Sequence, residues 1–138
     1  MERVIGKYNE ETYALMRIVI GFLFSCHGMQ KVLGLFGGAP AEAPPFVIWV
    51  GGTIELVCGL MVMVGFLAGS AAFLASGMMA VAYFMAHHRL DAPVPIQNHG
   101  ELAVVYAWVF LFIATRGSGI WSIDAAMGPQ EVRAASRG

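Results

Sequence analysis

Four stretches of this chain are apolar for long enough to approach the thickness of a bilayer, and that feature narrows its possible folds more than any other. A backbone surrounded by hydrocarbon must satisfy its polar groups internally, so each stretch is predicted to be helical. About 20 mostly apolar residues are needed to cross about 30 Å. The first runs from about Tyr13 to Leu35 and carries Arg17, His27 and Lys31, and the second, Phe46 to Ala68, has Glu55 as its only charge. The third, Gly69 to about His88, contains no acid, Lys or Arg, and the fourth runs from about Glu101 to Thr115 and closes at Arg116. The fourth is short, so it is expected to extend upstream over residues 99–116, toward Asn98, or to tilt little.

Gly and Pro mark the connections. GLFGGAPAEAPP separates the first two segments and LDAPVPIQNHG the last two, while GFLAGS leaves only a tight turn between the second and third, which makes them antiparallel neighbours. The expected fold class is all-α: an integral membrane four-helix bundle, one domain over residues 1–138 with a polar tail at 127–138. Composition agrees, since 58% of the residues are hydrophobic and 12% charged, with a mean hydropathy of +0.69. So apolar a chain of this length has lipid as its main solvent.

The formal net charge is -1 and no run of Lys or Arg occurs, so the electrostatic footprint for nucleic acid is missing. The opening MERVIGKYNEE is mixed in charge, and the apolar run behind it ends without a small-residue cleavage pattern, so it reads as a retained helix. An even number of crossings puts both termini on one side. Arg3, Lys7, Arg17, Arg116, Arg133 and Arg137 lie on that side, against Lys31 and Arg89 on the other. The imbalance puts N and C termini in the cytoplasm, with Tyr8, Tyr13 and Trp121 at the inner interface and Trp49 at the outer one.

Helices in lipid associate through close approach at small residues. In the second segment Gly51, Glu55 and Gly59 are spaced by four, with Gly52 and Cys58 beside them, so the lone carboxyl points at protein. In the third, Ala72, Ser76, Ala80, Tyr83 and His87 share a face. In the first, Arg17, Gly21, Phe24, Gly28 and Lys31 lie along one side with His27 at its edge.

An ionisable group within the hydrocarbon normally faces the bundle and has a partner. Glu55 lies roughly 13 Å and His27 roughly 9 to 12 Å below the outer ends of their helices, at similar depth. Lys31, His87, His88 and Glu101 cluster nearer the outer surface, with His99 in the adjoining loop. These residues imply one polar pocket opening outward, for which Glu55, His27, Lys31, His87 and Glu101 are the candidates. It can be a satisfied network that fixes helix register, a site where Glu55 or His27 exchanges protons with a quinone-like ligand, or a metal site. No HxxxH or ExxH pair supports the last, and no metal ligands are assigned. Arg17, about one turn from the cytoplasmic interface, is expected to contact a headgroup or another anion. Cys26 and Cys58 form neither a CxxC pair nor a zinc-type spacing and read as small buried residues. No nucleophile with its base and no phosphate loop is found, which leaves hydrolase and kinase chemistry without a basis.

Three motifs also resemble a known family. LMRIVIGFLFSCHGMQKVLGLFGG is similar to the opening helix of the DoxX family, GGTIELVCGLMVMVGFLAGSAA to its second signature, and RGSGIWSIDAA to its closing GxGxxSxD segment. The resemblance spans roughly residues 14 to 125, with the motifs in order, and carries over Arg17, His27, Lys31, Glu55 and Asp124. It implies a four-helix protein of the bacterial cytoplasmic (inner) membrane, associated with redox complexes that pass electrons from sulfur compounds to quinone. The function expected is a small subunit of a membrane redox complex with a quinone-type pocket. Alternatives are a structural or assembly subunit without chemistry of its own, and small-solute transport by an oligomer. Expected partners are membrane lipids and a larger membrane complex or further copies of the chain.

Overall fold

The computed structural model describes residues 2–128, and no strand occurs among them. A single turn, α1 (Glu2–Ile5), and a 3-10 turn (Gly6–Tyr8) lead into α2 (Asn9–Leu33). A π-helical turn (Val47–Gly51) runs into α3 (Gly52–Val64), and α4 (Ala68–Ala82) runs on into a second π-helical turn (Tyr83–His87). The single turn α5 (Pro95–Asn98) precedes α6 (Glu101–Arg116), and α7 (Ile123–Met127) follows it. Counted with the turns that continue them, Gly6–Leu33, Val47–Val64 and Ala68–His87 are long and apolar enough to span a membrane, at 28, 18 and 20 residues. α6 has 16 residues, about 24 Å of helix. The chain is a multi-pass membrane protein.

Side chains are sorted as lipid requires. Phe22, Phe73, Phe84, Trp108 and Phe112 face outward, while Gly21, Ser25, Gly28, Gly59, Ala68, Ala72 and Ala75 are buried. With no hydrophobic drive between helices in hydrocarbon, what remains is dispersion, which rewards the closest approach of backbones. α2 and α3 use this fully. A methyl group on Gly21 would lie 2.7 Å from the Gly59 carbonyl oxygen, and one on Gly59 would lie 2.6 Å from the Ser25 nitrogen. The two helices therefore run antiparallel with backbones touching. α4 packs on α6 through Ala71, Ala72, Ala75 and Ser76, and the Ser76 hydroxyl donates to the Ala107 carbonyl at 2.7 Å. Between these pairs lies an aromatic seam, in which Phe24 of α2 packs against Phe110 and Tyr106 of α6, with ring centroids 4.5 and 5.2 Å apart.

The structure shifts several expected boundaries. The turn between the second and third segments falls at residues 65–67, because Gly65, at φ 70°, caps α3 in the left-handed region. The upstream extension of the fourth segment is not continuous: α5 ends at Asn98 and His99 takes φ 59°, so the chain breaks before α6 starts. Ala80 is exposed, since repeated steps of four drift about 40° each from the helical period, and the buried line runs Ala72, Ala75, Ser76, Met79, Tyr83 instead. Tyr13 leaves the expected interfacial belt and is buried, its hydroxyl donating to the Gly117 carbonyl at 2.5 Å. Of the tail at 127–138, Met127 belongs to α7; residues 129–138, with Arg133 and Arg137, lie outside the described residues.

Candidate functional site

The glycine contact between α2 and α3 creates the surroundings of Glu55. Gly52 presses on the last turn of α2, where a methyl group would lie 2.8 Å from the Lys31 Cβ, so only glycine lets Lys31 pass this close to the neighbouring backbone. The Lys31 ammonium then donates to Glu55 Oε1 at 2.6 Å, with the Glu55 residue only 3% exposed. Glu55 Oε2 is buried and has no hydrogen-bond partner among the described residues. A carboxylate held this way is half satisfied: one oxygen is neutralised and the other remains open to a donor.

Two cavities meet at this carboxylate. One, of about 210 Å³, is a crevice lined by His27, His87, His99 and Tyr106 together with Phe24 and Met79. The His27 ring stands edge-on to Tyr106, 6.1 Å between centroids. The other, of about 460 Å³, is an apolar cleft between α3 and α4, walled by Ile54, Phe73, Gly77, Met78 and Met85, with Lys31 and Glu55 on its inner side. Both π-helical turns border this cleft, through Val47, Val50 and Gly51 and through Met85 and Ala86. Such turns widen a helix locally and recur at functional sites.

The structure thus brings together Glu55, Lys31, His27 and His87 of the five residues singled out from the sequence. Glu101 stays exposed on the first turn of α6 and lines neither cavity. The expected single pocket is two, and Glu55 and Met79 line both. Among the described residues, no three His, Cys, Asp or Glu side chains are grouped as a metal ion would need. Cys26 and Cys58 are both free thiols, the first half-buried and the second buried.

Two contributors escape the sequence reading. Tyr106 follows the spacing of buried Ala103, Phe110 and Ile113 on α6, a pattern that could have revealed its inward direction. Asn98 is buried, and its Nδ2 donates to the Tyr83 hydroxyl at 3.2 Å and the Ala92 carbonyl at 3.0 Å while its Oδ1 accepts from the Gly100 nitrogen at 2.9 Å. The Asn98 carbonyl in turn meets His87 Nδ1 at 3.2 Å. Asn98 therefore fixes the wall of the crevice. A polar residue in a Pro-rich loop gives no periodic signal of such a role.

At the opposite end the site is closed. A headgroup contact is the expectation for Arg17 from its depth, yet it is 0% exposed. Its Nη1 donates to the carbonyls of Val62 at 2.7 Å and Met63 at 2.9 Å, and its Nη2 to those of Trp121 at 2.7 Å and Ile120 at 3.3 Å. The last-turn carbonyls of α3 have no i+4 helical donor, the Gly65 nitrogen reaches only as far as Val62, and a guanidinium fork suits several carbonyls at once. Ser118 donates to Asp124 at 2.5 Å, the Asp124 nitrogen donates to the Gly65 carbonyl at 3.0 Å, and Ser122 caps α7. A methyl group on Gly65 would run into Ser122 and the Arg17 guanidinium. The closing GSGIWSID run is therefore a structural plug.

Comparison with known proteins gives a consistent family. A family model described as DoxX matches residues 12–88, a little over half of the chain. A protein of Haemophilus influenzae described as uncharacterized is 36% identical over 126 residues, covering 87% of this chain and 93% of that protein. No solved structure matches.

Proposed function

The chain belongs to the DoxX family, and from that premise we propose that it is a small subunit of a redox complex in the bacterial cytoplasmic membrane that takes a quinone-type ligand at Glu55. One observation carries the reading: a buried carboxylate with one open oxygen stands between an apolar cleft of about 460 Å³ and a histidine-lined crevice. Cavities of this size with a few convergent polar groups are typical of small-molecule sites, and ionisable groups at such depth mark proton and ligand pathways.

In this reading the ligand head meets Glu55, which exchanges a proton with it, and His27 and His87 link Glu55 to the loop end of the bundle. Lys31 holds the carboxylate in place. Electrons pass between the ligand and a carrier in a partner subunit. The termini lie in the cytoplasm, supported by Lys7 and Arg116 at that end and by Lys31 being committed to Glu55.

The test is purification in mild detergent, with extraction of retained lipids and identification of bound subunits. A quinone and a redox partner are expected in near-stoichiometric amounts. The variant Glu55→Gln should insert and fold yet lose quinone-dependent electron transfer in membrane vesicles. If it is merely less stable and retains full transfer, the carboxylate serves only helix register.

A further inference from the structure

We infer that the lateral cleft is the seat of the ligand's apolar chain, and that the open oxygen of Glu55 makes the site select the reduced, hydroxyl-bearing head over its oxidised form. The inference rests on the reading of the site as quinone-type and adds its entry route and redox preference.

Three independent features point to an occupant. Gly51 and Gly77 line the cleft, and a methyl group on either would meet no heavy atom within 4 Å among the described residues. Neither glycine is needed for packing inside the chain, although each weakens its helix relative to alanine. Their effect is to keep the cleft wide. The π-helical turns at 47–51 and 83–87 border the same cleft. Finally, Glu55 forms part of its inner wall with Oε2 buried and unpartnered among the described residues.

Shape and charge then decide what fits. Phe73, Leu74, Val81 and Met85 are exposed at the rim, so the cleft opens sideways into lipid. Its volume of about 460 Å³ is that of a small-molecule site. The head is constrained by the carboxylate. Oε1 is held by Lys31, and Oε2 accepts hydrogen bonds but cannot donate one as a carboxylate. A bare phosphate group would add like charge and no donor, so it does not satisfy Oε2. A quinone ring offers only carbonyl acceptors, which also leave Oε2 unpartnered. A quinol hydroxyl supplies the donor, and its hydrogen bond to a buried charged acceptor is of the strong type.

The experiment is calorimetric titration of the detergent-purified full chain with decylubiquinol, decylubiquinone and the dimethyl ether of decylubiquinol. The quinol should bind about tenfold or more tightly than the other two, the scale of one hydrogen bond to a charged group. Gly77→Leu, which fills open space and so should leave the circular dichroism spectrum unchanged, should weaken quinol binding by about tenfold or more. Glu55→Gln should bring the three ligands to within about threefold of one another. Equal binding of quinol and quinone to the unaltered protein would overturn the redox preference while leaving a quinone-type site standing. Undiminished binding by a folded Gly77→Leu protein would overturn the cleft as the seat of the chain. Failure of all three ligands to bind the folded protein would overturn the quinone-type reading as well.

Discussion

Gly28 and Leu56 meet backbone to backbone: a methyl group on Gly28 would stand 2.6 Å from the Leu56 Cα and equally close to the Gly52 carbonyl oxygen. Neither atom belongs to a flexible side chain. The α2–α3 contact therefore has no slack, and the Lys31–Glu55 pair one turn away depends on it.

Gly28→Ala should separate the two helices and cost about 1–3 kcal/mol, the range for overpacking a tight interior. Denaturation in mixed detergent micelles followed by circular dichroism would measure it. Gly77→Ala, where the added methyl group has room, should be neutral or slightly stabilising through helix propensity.

Lys31 and Glu55 should be strongly coupled. Lys31→Met leaves a buried carboxylate alone and should destabilise by about 3–5 kcal/mol, whereas Lys31→Met combined with Glu55→Gln should cost less than the single change. A double-mutant cycle should return a coupling above about 1 kcal/mol. A coupling near zero would mean that the pair does not form.

Arg17→Met should be among the most damaging single changes. It strips donors from carbonyls at the end of α3 and from residues 120 and 121. The Val62 carbonyl keeps the Gly65 nitrogen as a donor, while each buried acceptor that is left unpaired costs about 1–3 kcal/mol. Arg17→Lys should recover only part of the loss, because an ammonium is one point and the carbonyls lie on two segments. Thermal unfolding in detergent should rank the proteins wild type, Lys, Met in falling stability.

Asn98→Ala should cost about 1–3 kcal/mol by removing the side-chain bonds to the Tyr83 hydroxyl, the Ala92 carbonyl and the Gly100 nitrogen, the last of which keeps the Pro95 carbonyl as its acceptor. Hydrogen exchange should quicken locally around residues 92–100 and leave α2 and α3 unchanged, since Asn98 bonds only to groups near the crevice.

Periodicity and the cost of charge in lipid made much of this legible from the residues. The inward direction of Glu55 followed from Gly51, Gly52 and Gly59 around it, and its closeness to His27 from matched depth. Glu101 misled because depth was the sole guide there, and depth carries no azimuth when the first turn of a helix can face outward. Arg17 misled for a related reason: distance to the interface says nothing of carbonyls supplied by residues more than a hundred positions later. The splitting of one pocket into two, with apolar Met79 lining both alongside Glu55, is encoded by no pattern of polar residues.

The plug around Arg17 also sets an order of events during biogenesis. While the ribosome is still synthesising α6, the guanidinium can reach Val62 and Met63 but has nothing to hold with Nη2, because Ile120 and Trp121 do not yet exist. Its full set of partners arrives only with nearly the last described stretch of polypeptide. A nascent chain halted before that point leaves the Arg17 guanidinium with only part of its hydrogen bonds.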